Sequence, residues 1–274
     1  MKYIQLILAF VLVFLSSTYL FFRKKTMNQK SDLTWAAYIK NLVKRDGRVA
    51  ARSKNGIPVT LEWSIRNAFD SDFYEILKES GTTSIDAFTK VEVDFLRAHP
   101  DVALQDEHFK LVAPLFSDAK NIDWNLVQEK MRNIIAGIYS MDCSSFGTDT
   151  FFIFVFIKDE TTGEQLGSAQ FFVEPTYAHG DVRLTSIAVK PKEQNRGLGK
   201  LLMCSIFKIV PTVQRIFLST RITNEHAIRA YQNWGFTKDP NPVQAHFKFT
   251  EHWIHLEYKT DQSSILQKVA EGLK

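Results

Sequence analysis

Cysteine is nearly missing from this chain. The 274 residues hold two, Cys143 and Cys204, with no CxxC and no Cys/His spacing of the zinc-site kind. Neither a disulfide framework nor a structural zinc site organises such a sequence. Cys204 lies in the apolar run Leu201-Leu202-Met203-Cys204 and reads as a small buried hydrophobe. Cys143, beside Asp142 and Ser144, has no identifiable histidine partner. No internal repeat is apparent, and a composition of 45% hydrophobic and 23% charged residues excludes the disordered, collagen-like and multi-span membrane classes. A G-x-S-x-G elbow is absent. His252-x-x-His255 falls on an expected strand, where i and i+3 point to opposite faces, so the pair does not share a metal.

A surplus of one charge is missing too, once its position is considered. The net charge is +4. Lys2, Arg23, Lys24 and Lys25 account for it, and the rest of the chain holds 30 bases against 30 acids. A balanced body supplies no basic face for nucleic acid. What is present is ordinary for a folded protein: 45% hydrophobic and 23% charged residues, in a length that suits one large domain or two small ones.

Tyr3 to Phe22 runs without a charge. As a helix of about 20 residues it would span about 30 Å, the thickness of a hydrocarbon core. Aromatics sit near both ends, and Arg23-Lys24-Lys25 follows. Residues 1–25 are therefore expected to be a single anchor, with the following domain kept in the cytoplasm by the positive-inside rule. A cleaved signal is the rival, but a small-residue cleavage site is not evident. A start at Met27 is the other alternative, and would give a cytoplasmic protein.

Residues 26–57 read as a linker with one short helix around Trp35 to Val43, with breaks at Lys44-Arg45-Asp46-Gly47 and Ser53-Lys54-Asn55-Gly56. Val59, Leu61, Trp63 and Ile65 alternate as a strand that ends near Arg66. Asp70 and Ser71 are candidate caps for a helix carrying Phe73, Ile76 and Leu77. The stretch 82–148 reads as helical, with one apolar stripe behind Ser84 and another from Leu126 to Ile138. After Asp149 come strands. Phe151–Ile157 and Leu166–Val173 form a hairpin about Thr161–Glu164, and Val182–Val189 is a third strand. Gly197–Val210 is a helix, Arg215–Thr220 a strand and Asn224–Trp234 a helix. Phe247–Phe249 with Trp253–Tyr258 reads as a last hairpin, and the tail 260–274 as a short amphipathic helix.

Two segments carry chemistry. In Val189-Lys190-Pro191-Lys192-Glu193-Gln194-Asn195-Arg196-Gly197-Leu198-Gly199-Lys200 a strand enters a glycine-bearing turn and then a helix. Glycines let the backbone approach a ligand closely, and the first amides of the helix are free donors to an anion such as a phosphate. The stretch is neither a P-loop nor a dinucleotide fingerprint, because the required glycine and Lys-Ser/Thr positions are missing. Downstream, Asn224, Ala227 and Tyr231 share one helix face, and Gly235 ends that helix.

On these residues the chain resembles the GNAT superfamily of N-acetyltransferases. Gln194-Asn195-Arg196-Gly197-Leu198-Gly199 matches its Q/R-x-x-G-x-G/A signature, and Asn224…Ala227…Tyr231…Gly235-Phe236 matches its next helix. The resemblance is firm over about 150–258 and extends to Pro58 through Ile65-Arg66-Asn67-Ala68…Asp72. It implies an α/β (α+β) fold over 58–259: a mixed, mostly antiparallel sheet with splayed parallel strands, flanked by helices. It implies acetyl-CoA as co-substrate and an amine as acceptor, either a protein lysine, an N-terminus or a small amine. Pantetheine would lie against the backbone of Ile187, Ala188 and Val189, and pyrophosphate on the amides of Gln194, Asn195, Arg196, Gly197, Leu198, Gly199 and Lys200. Asn224 would bind the pantetheine or acceptor side. Tyr231 would protonate the leaving thiolate, with Ile187 or Val189 N–H at the oxyanion.

One position departs from the pattern. The slot of the catalytic glutamate found in the histone-acetylating branch falls on Arg183, which cannot act as base. Asp181 and Glu174 are the nearby candidates. Two other function classes remain: a non-catalytic acyl-CoA-binding module, and a membrane-tethered interaction protein. Cell fractionation tests the anchor. A chain begun at Met1 is expected with membranes and one begun at Met27 in the supernatant; identical partitioning removes the anchor.

Overall fold

Alternation of buried and half-exposed residues from Pro58 to Arg66 makes β2, a strand with Val59, Leu61, Trp63 and Ile65 on its core side. In the computed structural model, which describes residues 35–42, 45–106, 109–118, 120–143, 146–242, 250–260 and 265–273, this strand lies between β1 (Asp46–Arg52) and β3 (Phe151–Asp159). The sheet continues through β4 (Gln165–Val173), β5 (Asp181–Val189), β6 (Arg215–Arg221), β7 (Thr237–Lys238) and β8 (Trp253–Lys259). Its order is β1-β2-β3-β4-β5-β6-β8-β7. Every neighbouring pair is antiparallel except β5 and β6. The mixed, mostly antiparallel sheet expected from the sequence is what forms.

Seven α-helices accompany it among the described residues: α1 (Trp35–Lys40), α2 (Phe73–Ala98), α3 (Val102–Gln105), α4 (Trp124–Ile138), α5 (Leu198–Ile209), α6 (Glu225–Asn233) and α7 (Ile265–Glu271). Neighbouring residues of β4 show which helix covers which face. A Cβ on Gly167 would meet Leu202 of α5, whereas Ser168 Oγ donates to Ser80 O of α2 at 3.0 Å. Successive residues of a strand point oppositely, so α5 and α2 lie on opposite faces. The core is aromatic between α2 and the sheet, where Phe73 packs against Phe152 and Phe154.

Three expectations are corrected. Residues 46–52, read as part of a linker, are the edge strand β1. The supposed break at Gly47 is a packing device: its missing Cβ would lie 2.1 Å from Trp63 Cζ2, so the indole occupies that space. Secondly, 73–98 is one helix rather than two. Ser80 and Thr82 hydroxyls donate back to Leu77 O and Glu79 O, and Ser84 Oγ reaches Ser186 Oγ across 3.0 Å, so the polar run does not end the helix. Thirdly, neither Asp70 nor Ser71 is the N-cap; that position is Asp72. Asp70 instead accepts from Asn67 N and pairs with Arg45, while Asp72 pairs with Arg66 at 2.7 Å.

The expected anchor at 3–22 and the strand at Phe247–Phe249 lie outside the described residues. Among the described residues no helix is long and apolar enough to cross a membrane. β8 finds its partners in β6 and β7.

Gly167 tests the packing between β4, β5 and α5. An added Cβ would sit 2.7 Å from the Ala188 carbonyl oxygen and 3.1 Å from Leu202. Gly167→Ala is expected to lower stability by about 1–3 kcal/mol, the usual cost of overpacking. An unchanged midpoint in urea unfolding would contradict this arrangement.

Candidate active site

β5 and β6 pair over three positions only: Asp181 with Arg215, Val182 with Ile216 and Arg183 with Phe217. Beyond Phe217 the two strands separate. β6 continues on β8 while β5 continues on β4, so a cleft opens inside the sheet. The register of β5 on β4 also shifts between Gln170 and Phe171, which places Thr185 as an extra residue in β5. Thr185 Oγ1 donates to Gln170 O at 3.0 Å.

The ladder decides which main-chain groups face the cleft. Lys190 N donates to Leu166 O at 2.9 Å, so Lys190 bonds across to β4. Hydrogen-bonded positions alternate along an antiparallel pair. Ala188 and Ser186 therefore also face β4, and the N–H and C=O of Ile187 and Val189 face the cleft. Of the three pantetheine positions expected, Ala188 is turned away. Gln194 Nε2 already donates to Val189 O at 3.2 Å.

The turn after β5 is a 3₁₀ segment, Pro191–Glu193. Gln194 N donates to Pro191 O at 3.3 Å, so this amide is removed from the expected donor set. Asn195 (φ 63°) and Gly197 (φ 80°) then adopt the left-handed region. Helix hydrogen bonding resumes with Leu201 N to Gly197 O at 3.1 Å. The main-chain N–H groups of Asn195, Arg196, Gly197, Leu198, Gly199 and Lys200 make no hydrogen bond among the described residues. They form a nest of donors at the start of α5.

Tyr231 is buried on α6. Its ring meets Trp234 edge-on at 5.6 Å and Phe236 at 5.5 Å. A Cβ on Gly199 would lie 3.4 Å from Trp234, so Trp234 links the tyrosine to the donor nest. Burial pushes the Tyr231 phenol above its ordinary value, which keeps it protonated. Asn224 precedes α6 without capping it; its Nδ2 donates to Thr220 Oγ1 at 3.2 Å.

The two candidate bases are engaged. Asp181 pairs with Arg215 at 3.3 Å, and Arg215 also binds Asp239 and Glu257 at 2.8 and 2.7 Å. Burial raises the Asp181 carboxyl and Arg215 opposes the rise. Glu174 follows β4. Burial raises its carboxyl as well, opposed by a hydrogen bond from Tyr177 and by the charge of Arg183.

Sequence reasoning missed two contacts. Lys54, in the β1–β2 turn, donates its N–H to Arg196 O at 2.9 Å and lies over Gly197. Ser219 Oγ lies 2.8 Å from His255 Nδ1, a pairing set by the β6–β8 register. No spacing in the sequence brings these residues together. Among the described residues there is no group of three or more metal-ligating side chains.

Residues 121–236 match the model of the acetyltransferase (GNAT) family, so the resemblance read from the glycine turn and the following helix holds over this segment. No curated protein matches. Solved structures similar to the chain include a GNAT-family protein from Desulfovibrio desulfuricans. It is 15% identical, with 72% of this chain and 98% of that one covered, at a TM-score of 0.36. The ribosomal-protein-S18-alanine N-acetyltransferase of Escherichia coli is 22% identical over 39% of this chain and 68% of its own, with TM-score 0.31. A GNAT family acetyltransferase of Elizabethkingia anophelis, solved with acetyl-CoA bound, is 20% identical over 39% and 76%, with TM-score 0.30.

Gly197 is the position where the donor nest tolerates least. A left-handed conformation costs an L-residue about 1–2 kcal/mol, and a Cβ there would lie 3.2 Å from Lys54 Cβ. Gly197→Val is expected to weaken acyl-CoA binding about ten-fold or more in calorimetry; wild-type affinity would remove the nest from the site.

Proposed function

We propose that this chain is an N-acetyltransferase that moves an acetyl group from acetyl-CoA to a primary amine by direct attack. The observation that carries this reading is the run of unpaired N–H groups from Asn195 to Lys200 beside the opening between β5 and β6. A diphosphate suits the first feature. An extended, amide-bearing arm suits the second, because it can bond to the main chain of Ile187 and Val189 as a strand would. The thioester carbonyl would then lie near Thr185, where one of these N–H groups meets the developing oxyanion. Tyr231, kept protonated by burial, gives its proton to the departing sulfur. Acceptor discrimination is assigned to 82–148, which holds the larger part of α2, the long helix over the sheet face carrying Ser168. With the anchor expected at 3–22, the domain would work at the cytoplasmic face of a membrane.

Release of CoA thiol across a panel of amines tests the reading. Turnover with at least one amine is expected. Tyr231→Phe is expected to lower kcat about a hundred-fold, in the range general acids supply, with acetyl-CoA affinity retained. Tight acetyl-CoA binding without turnover on any amine would favour a non-catalytic acyl-CoA-binding module. No acetyl-CoA binding at all would refute the proposal.

A further inference from the structure

With Arg183 in the slot where a carboxylate would serve, and with Asp181 and Glu174 both engaged, the acceptor ammonium still needs a base. One imidazole stands in the right place. On β6, Arg215, Phe217 and Ser219 lie on one face, the face on which Arg215 meets Asp181 of β5. Ser219 is two residues beyond the last β5–β6 pair, Arg183 with Phe217, and so stands at the mouth of the cleft. Directly across from Ser219 on β8 is His255, joined to it by the 2.8 Å contact from Oγ to Nδ1. The other ring nitrogen, Nε2, is buried and has no hydrogen-bond partner among the described residues. A buried polar atom left without a partner calls for an explanation, and a catalytic role is one of the few that native proteins use.

From this placement we infer that His255 is the general base of the acetyl transfer proposed above, with Ser219 holding its ring so that the Nε2 lone pair faces the acceptor. The inference rests on that reading of the site. In this arrangement Nδ1–H donates to Ser219 Oγ, which fixes the tautomer and leaves the lone pair on Nε2. The step balances. An acceptor R–NH3+ gives one proton to Nε2 and becomes R–NH2. Its nitrogen forms a bond to the thioester carbon, the carbon–sulfur bond breaks, and the sulfur leaves with its electron pair. Tyr231 protonates that sulfur and recovers a proton from the newly acylated nitrogen. Protonated His255 then returns its proton to water. The products are an amide, CoA thiol and one proton.

The surroundings favour a neutral ring. Burial lowers the affinity of His255 for a proton, and the Arg183 charge lowers it further; Asp239 acts the other way. The Asp239 carboxylate is bound by Arg215, and Glu257, also on β8, by Arg215 and Lys259. Arg221 at the end of β6 is bound to Glu92 of α2. Because the active form is the neutral one, the rate falls as pH falls through the histidine pKa. Since that pKa is depressed, the acid limb of kcat/KM is expected below 6.5, the ordinary histidine value.

The experiment compares pH profiles of kcat/KM for wild type, His255→Gln and Glu174→Gln, with acetyl-CoA affinity measured on each. His255→Gln is expected to lose about a hundred-fold in kcat and its acid limb, with acetyl-CoA affinity unchanged. Glu174→Gln is expected to keep the limb. Imidazole added to His255→Ala is expected to restore part of the rate. A wild-type profile in His255→Gln, or loss of the limb in Glu174→Gln alone, overturns the assignment and leaves the acetyltransferase reading standing. Failure of the wild-type chain to bind acetyl-CoA overturns both. Should His255→Gln lose its melting transition, Ser219→Ala decides: a displaced limb supports the role, and an unmoved one refutes it.

Discussion

A sheet that separates along its own middle leaves main-chain groups without partners, and this is the constraint on which the rest depends. Backbone N–H and C=O groups removed from water need hydrogen bonds. β5 satisfies one of its edges on β4. On the other it pairs with β6 for three residues and then presents Ile187 and Val189 to an opening. The most economical partner for such an edge is another extended chain carrying amides. A few residues further on, the donor nest at Asn195 to Lys200 adds a place for negative charge in line with that edge. The two features are contiguous because one strand runs directly into the turn.

Keeping the strands apart requires rigid attachment on both sides. On the α2 face, Thr83, Ser84, Ser168, Ser186 and Tyr139 join hydroxyl to hydroxyl, with Thr83 and Ser168 at 2.6 Å and Tyr139 and Ser186 at 3.3 Å. These contacts fix α2 and the end of α4 to β4 and β5. On β6, Arg221 is buried against Glu92 of α2 at 2.8 Å. Its guanidinium lies 4.1 Å from the ring centroids of both Phe95 and Trp253. A buried ion pair is poor evidence of net stability, but it fixes geometry, because either partner alone would be a costly isolated charge. One helix thus grips β5 through neutral hydroxyls and β6 through a charge pair, and both walls of the cleft are referred to the same rod.

Much of this was legible in the sequence, and for identifiable reasons. Phe151–Ile157 could be read as a strand because aromatic and β-branched residues run unbroken there. The glycine turn was recognisable because Gly197 needs a conformation other residues avoid. Harder to see was anything set by register. Asp46–Arg52 carries too little apolar content to announce a strand, and its pairing with β2 appears only when Trp63 is seen filling the space over Gly47. The helix through Ser80 to Ser84 hid behind residues that favour caps and turns when their hydroxyls have nowhere else to go. Asp181 looked available because its partner, Arg215, is distant in the chain. Ser219 and His255 became neighbours through the β6–β8 register alone, which composition and spacing do not encode.

The hairpin between β1 and β2 belongs to the stretch upstream of the segment that resembles other acetyltransferases, yet its tip is tied to the glycine turn through Lys54 N–H and Arg196 O. α1 is fastened at the opposite end of β5, by the Trp35 indole N–H on Asp181 O at 2.6 Å. Whatever pulls on the front of the molecule is therefore transmitted to both ends of β5. The leading segment behaves as a brace along β5 rather than as a leash, so trimming the protein to its recognisable part would remove a strut from the very loop that makes it recognisable.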